Sequence, residues 1–337
     1  MFRVCLLGCG GIARTHIHSY SELEQAGRAK LVGVCDIRPE AFTEKVQINI
    51  SDGSEGQTGL SYNTYTDLDT MLNTEKPDLV DICLPTYLHK EKAVYIMKAG
   101  YPVFCEKPMA LTYEECKEML AVSKETGKPL GIGQCLHFFA EYEYLKELIA
   151  DGRYGKPISG FFQRLSPPPV WGWENWYMNT DLSGGCIQDL HIHDVDIARY
   201  LFGNPTKLSC RAKNGFGKWD CAHTSLCYGD DFTVTVIGDW SLQNVPFEAT
   251  YRVAFEKATI VDKNGDVTVY PVDGEAFKPD LIPINGYAEE VAYFTEILAG
   301  RTENIKNPTE SAALTIRTIE LLRESANQGG AQLPFEV

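Results

Sequence analysis

Positive charge is scarce in this chain: 31 lysines and arginines face 46 aspartates and glutamates, a formal net charge of −15. A surface poor in cations opposes nucleic-acid binding, which needs a basic stripe to displace condensed counterions, so DNA and RNA are not expected partners. No apolar run reaches the roughly 20 residues that cross a bilayer, so no membrane partner is expected. No internal repeat is visible. The 11 cysteines show no repeated C-x-x-C spacing; Cys5, Cys9, Cys35, Cys83 and Cys105 lie in apolar, strand-like runs, as reduced, buried thiols do. The opening MFRVCLLGCGG starts a strand without a charged leader or cleavage site, which gives a cytoplasmic expectation.

What remains is an ordinary globular composition, 44% hydrophobic and 23% charged over 337 residues, long enough for two cores. From residue 1 to about 133, short β-branched or apolar runs alternate with helical periods, the pattern of an α/β dinucleotide-binding (Rossmann) domain with a parallel sheet. Strands are expected at Arg3 to Leu7, Lys30 to Asp36, Ser61 to Tyr65, Asp78 to Leu84, Pro102 to Cys105 and Pro129 to Gly133. The polar, Gly-rich stretch Gln47 to Ser61 reads as an exposed loop. Residues 134–337 read as an α+β domain, its last helix able to pack back on the first. Strands from Thr206 to Lys213, Ala222 to Tyr228, Thr233 to Leu242 and Phe247 to Phe255 follow one another, with turns at Gly229-Asp230-Asp231 and Lys263-Asn264-Gly265, as in a large, mainly antiparallel sheet. A single helix is expected over Gly185 to Phe202, with Asp181 and Ser183 as caps and Gly203 as its stop. Tyr287 to Ala299 and Pro308 to Asn327 read as closing helices.

Val4 to Ala13 runs strand, glycine turn, helix start, the order a dinucleotide site requires. Gly8 permits the tight turn, Gly10 lets the backbone approach a pyrophosphate at the helix N-terminus together with Gly11 and Ile12, and Ala13 takes the third small position. Asp36, ending the second strand, can accept hydrogen bonds from an adenosine ribose, which favours NAD; Arg38, two residues on, could instead neutralise a 2′-phosphate, so NADP stays as the alternative.

The fifth strand runs into Glu106-Lys107-Pro108 at the carboxyl edge of the sheet, where ligands of open α/β sheets bind. Downstream, the stretch from Gly184 to Asp194 sets Asp189 and His193 four apart, on one face of the expected helix. Imidazole titrates near neutrality, so His193 can act as the general base of an alcohol oxidation. His191 points away from that face and reads as packing or as a supporting hydrogen bond. No metal is expected from His191, His193, Asp189 and Asp194, because the two histidines diverge by about 200° on a helix. Ser166 to Tyr177 joins three prolines to three tryptophans, and of Trp171, Trp173 and Trp176 we carry Trp173 as a sugar-pocket residue, with packing under a stiff loop as the open alternative.

The glycine turn, Glu106-Lys107-Pro108 and the GG-x-x-x-D-x-x-x-H-D stretch together resemble the Gfo/Idh/MocA oxidoreductases, over nearly the whole chain. The resemblance implies an NAD(P)-dependent dehydrogenase of CH-OH groups in a sugar, cyclitol or glycoside, with Lys107, Asp189 and His193 catalytic and in contact with substrate. It places Leu84, Pro85, Thr86, His89, Glu106, Lys107 and Gln134 along the cofactor and His137 at the substrate, where relatives often carry an arginine. Losing that arginine's planar fork favours a neutral polyol over a phosphorylated or acidic substrate. It also implies a homodimer or homotetramer formed through the open sheet. The rival reading is a catalytically silent sugar- or dinucleotide-sensing regulatory protein of the same fold.

Overall fold

A computed structural model describes residues 1–44, 61–215 and 217–336; the expected loop from Gln47 to Ser61 lies outside them apart from Ser61. The chain divides into two compact units. The first comprises Met1–Cys135, Trp171–Trp176 and Asn285–Ala313, and the second Leu136–Val170, Tyr177–Ile284 and Leu314–Val337.

The first unit is built from β1 (Phe2–Leu7), α1 (Gly11–Gln25), β2 (Ala29–Cys35), β3 (Asn63–Tyr65), α2 (Leu68–Glu75), β4 (Leu79–Ile82), α3 (His89–Lys98), β5 (Val103–Glu106), α4 (Tyr113–Thr126) and β6 (Leu130–Gly133). Its strands pair in the order β3-β2-β1-β4-β5-β6, every pair parallel. The order reverses between β1 and β4, which opens a crevice at the carboxyl ends of the strands. All six expected strands are present with ends within two residues of those read from the sequence. Local chemistry sets the helix limits: Thr112 and Glu115 close a capping box at the start of α4, and Gly127 ends it at φ 65°. The core packs Val4, Leu6, Ala13, Ile17, Tyr20, Leu31 and Leu79 against Val291, Ala292 and Phe294 of a helix far along the chain (Gly286–Leu298).

The second unit contains α5 (Ala140–Asp151), β7 (Pro157–Leu165), α6 (Thr180–Ser183), α7 (Cys186–Asp189), α8 (Ile192–Phe202), β8 (Lys207–Lys213), β9 (Cys221–Tyr228), β10 (Phe232–Asp239), β11 (Glu248–Phe255), β12 (Ala258–Lys263), β13 (Asp266–Pro271) and β14 (Leu333–Pro334). Its eight strands run β13-β12-β11-β7-β10-β9-β8-β14, antiparallel except for β7 beside β10. Asn264 and Gly265, at φ 52° and 88°, close the β12–β13 hairpin as the turn type demands.

One expected helix is corrected. Gly185 to Phe202 is two helices, because the His191 N–H reaches back five residues to the Cys186 carbonyl at 2.9 Å and opens the turn between α7 and α8. Asp181 and Ser183 do not cap it. They lie in α6, whose cap is Asn179, while Gly185 precedes α7 without a side-chain bond. Gly203 does end α8, at φ 82°. All 11 cysteines are free thiols, and burial pushes Cys5 and Cys35 up to about 12, so they stay protonated.

Candidate active site

The glycine turn sits at the switch point of the first sheet. Gly8 has φ +99°, its N–H donates to the Cys35 carbonyl at 2.8 Å, and a Cβ there would run into the Cys83 carbonyl just after β4. Gly10 is different: its φ is −83°, and a Cβ would meet nothing within 4 Å. That open space fronts the start of α1, which has no side-chain cap and no acidic residue in its first turn. A helix start with nothing of its own to satisfy it suits an anion. Asp36 accepts the Cys9 N–H at 2.9 Å through Oδ2 and the Arg38 N–H at 2.9 Å through Oδ1, so its carboxylate is fixed beside the turn. Ala13 is buried in the core, where a larger side chain would push α1 off the sheet. These residues fit a dinucleotide.

Lys107 follows β5, half-buried, and its N–H donates to Glu106 Oε2 at 3.0 Å. Glu106 turns inward. Its Oε1 lies 2.9 Å from His16 Nε2, and His16 Nδ1 lies 2.7 Å from Asp81 Oδ2, which also accepts the Tyr20 hydroxyl at 2.7 Å. Burial lowers the His16 pKa, but the charge and hydrogen bond of Asp81 overcome it and leave the imidazole well above its ordinary value. Glu290 is buried beside this chain with neither oxygen hydrogen-bonded. Burial and the Glu106 charge push its pKa well up, which favours the protonated acid.

His89 binds the same turn from the other side. Its Nδ1 is 2.7 Å from the Pro108 carbonyl and its Nε2 2.7 Å from the Leu84 carbonyl, tying the loop after β4 to the Lys107-Pro108 segment. Burial lowers its pKa against the pull of those carbonyls. Leu84 and Pro85 are half-buried, whereas Thr86 and Gln134 are buried.

In the second unit, every residue from Ser183 to Arg199 is buried except Asp189 and His193. The frame behind them explains why. Arg323 donates to the Gly184 carbonyl at 2.6 Å and to the Gln188 side chain, and a Cβ on Gly184 would strike both partners. Gly185 has φ +73°, with the Lys218 carbonyl where a Cβ would go. Beyond the joint, Asp194 takes Arg164 of β7 at 3.0 and 3.2 Å, anchoring α8 to the sheet. His191 is interior: Nε2 is 2.8 Å from Thr224 Oγ1, and burial pushes its pKa down to about 3, so it is a neutral packing residue.

Two residues expected at the substrate have protein partners of their own. His137 is buried, with Nε2 2.7 Å from Asp196 Oδ2 and its ring stacked on Tyr200 at 4.0 Å. Trp173 belongs to the first unit, where the Arg38 guanidinium lies 5.4 Å from its ring centroid. Sequence reasoning missed His16, Asp81, Glu290 and Arg323. His16 was within reach, because it interrupts the inward apolar face of α1 formed by Ala13, Ile17 and Tyr20.

Family models decide the relationship. The model described as oxidoreductase family, NAD-binding Rossmann fold, matches residues 2–134, and the GFO/IDH/MocA C-terminal domain matches residues 142–261. The chain belongs to the Gfo/Idh/MocA oxidoreductases. Within this family, it is 33% identical over 194 residues to a 2,7-anhydro-N-acetylneuraminate hydratase of Mediterraneibacter gnavus, 55% of this chain and 48% of that protein. It is 30% identical over 240 residues to a D-glucoside 3-dehydrogenase of Escherichia coli, covering 66% of this chain and 64% of that one. The chain thus spans about half the length of the first relative and under two thirds of the second. A levoglucosan dehydrogenase solved with NADH and levoglucosan has a TM-score of 0.81 at 17% identity over 100% of both chains, which establishes the fold.

Proposed function

We propose that this chain is an NAD-dependent dehydrogenase acting on a secondary hydroxyl of a neutral sugar, cyclitol or glycoside. The observation that carries the reading is that Asp189 and His193 alone are only half-buried in an otherwise buried run of 17 residues, from Ser183 to Arg199. Their partial exposure on such a frame keeps both side chains within reach of a ligand.

NAD, when bound, supplies the acceptor for the hydride leaving the alcohol carbon. The chain's own residues do the rest. His193 takes the hydroxyl proton, and the Lys107 ammonium stabilises negative charge gathering on that oxygen as the carbon–oxygen bond shortens. Asp189 accepts a hydrogen bond from a substrate hydroxyl and fixes its orientation. Glu106 and His89 hold the backbone of the Lys107-Pro108 turn, while the Gly8–Ala13 segment and Asp36 hold the dinucleotide. NAD is favoured over NADP because Asp36 would oppose a 2′-phosphate.

Self-association as a homodimer or homotetramer belongs to the same proposal. Ile158, Tyr270 and Val272 of the second unit are exposed apolar side chains on its strands and strand ends, surface that association would cover. Cytoplasmic operation is proposed with it; among the described residues, no helix is long and apolar enough to cross a membrane.

The test is NADH formation with NAD and NADP offered separately against inositols, hexoses and glycosides. Reduction of NAD by one class supports the proposal. One similar protein is named a hydratase, so products are also weighed: a gain of one water without NADH would move the reading to hydration. Dinucleotide binding without any conversion would move it to a sensor.

A further inference from the structure

Trp173 is an exposed indole in a proline-stiffened segment, and its neighbour is not another pocket aromatic but Arg38. Arg38 is the residue whose charge could have welcomed a 2′-phosphate. Its position says otherwise. The backbone N–H donates to Asp36 Oδ1 at 2.9 Å, the side-chain Nε lies 3.4 Å from the same oxygen, and a terminal nitrogen lies 3.6 Å from Glu44 Oε2. Two carboxylates and an indole therefore hold the guanidinium. Its charge is already partly met, just beyond the end of β2, beside the carboxylate suited to an adenosine ribose.

We propose that Trp173 serves the adenosine end of the dinucleotide site, not the sugar pocket: backed by its indole, Arg38 forms a flat platform on which adenine stacks. A guanidinium plane offers a base the same π-face that an aromatic side chain does, and an indole behind it keeps the plane from swinging into solvent. The role also explains why residues 171–176 belong to the first unit although the chain on both sides of them is in the second. The inference rests on the reading that the glycine turn holds a dinucleotide, and it assigns that site's recognition of adenine to a segment outside the N-terminal 135 residues.

The experiment is calorimetric binding of ADP-ribose, NAD and the sugar substrate to wild type, Trp173→Ala and Trp173→Phe. ADP-ribose carries the adenosine and pyrophosphate without the nicotinamide, so binding needs no turnover. The expected result is a dissociation constant for ADP-ribose and NAD about 10-fold higher in Trp173→Ala. Phe should restore most of the loss, and the sugar KM at saturating NAD should stay within about twofold. Unchanged ADP-ribose affinity in Trp173→Ala overturns the inference, and more so if the sugar KM rises, since the indole then belongs to the substrate. Failure of wild type to bind ADP-ribose would instead overturn the dinucleotide reading beneath it. Trp173 is 38% exposed, so neither variant opens a core cavity.

Discussion

His16 Nε2 lies 2.9 Å from Glu106 Oε1, in the interior, and Glu106 carries the Lys107 N–H on its other oxygen. The imidazole sits between two acids, Asp81 and Glu106, and its raised pKa keeps it cationic there. His16→Ala would leave both carboxylates buried without their counter-charge, a loss that typically costs about 3–5 kcal/mol. Urea unfolding at pH 7 measures it. A cost below about 1 kcal/mol would show that the imidazole is not the charge that holds this cluster.

Glu290 sets a pH dependence with a definite sign. Its folded pKa is raised well above the ordinary 4.5, so above that pH the unfolded chain ionises the group while the folded chain keeps it protonated. Stability from this group is present below about pH 4.5 and is lost as pH rises toward the folded value, by at most about 1.4 kcal/mol per unit. His16 acts in the same direction: its contribution is full below about pH 6.5 and is lost as pH climbs through its raised folded pKa. Glu290→Gln removes only the carboxyl's part. Unfolding curves from pH 5 to 9 should show a shallower decline and a variant more stable than wild type at pH 8; identical slopes would refute the assignment.

The two glycines of the turn predict opposite outcomes. Gly8→Ala combines φ +99° with a clash against the Cys83 carbonyl and should destabilise the fold by several kcal/mol. Gly10→Ala adds a methyl at an ordinary φ into open space, so melting should move by no more than about 2 °C. That methyl occupies the space a pyrophosphate needs, and ADP-ribose affinity should fall at least about 10-fold. Equal affinity in Gly10→Ala and wild type would remove the turn from the dinucleotide site.

The first sheet was legible because each strand of a parallel sheet is a short, dense apolar run between helical periods: RVCLL, LVGVC and PLGIG stand out from their neighbours. The second sheet was legible only in part. In β7, PISGFFQRL, Pro157 opens the strand and Gly160 interrupts its alternation, with Val234 packed where a side chain would lie. The Lys263-Asn264-Gly265 turn was read without the strands it joins, β12 and β13, which are six residues each. The break between α7 and α8 had no sequence signal, since neither proline nor glycine lies between Cys186 and Phe202. For the site, motif order brought out Lys107, Asp189, His193 and Asp36. His137 was placed at the substrate by resemblance and Trp173 by its neighbourhood along the chain, whereas their partners, Asp196 and Arg38, are 59 and 135 residues away. No periodicity reports pairings across such distances.

The most direct test of the account compares His193→Ala with wild type in NADH formation on the sugar that wild type oxidises, with ADP-ribose binding measured on both. His193 is half-buried, so the variant should fold as wild type does. The account predicts turnover lower by about two to four orders of magnitude, with ADP-ribose affinity unchanged. Full turnover in His193→Ala would contradict it, because the proton would then leave by a route that does not use this histidine.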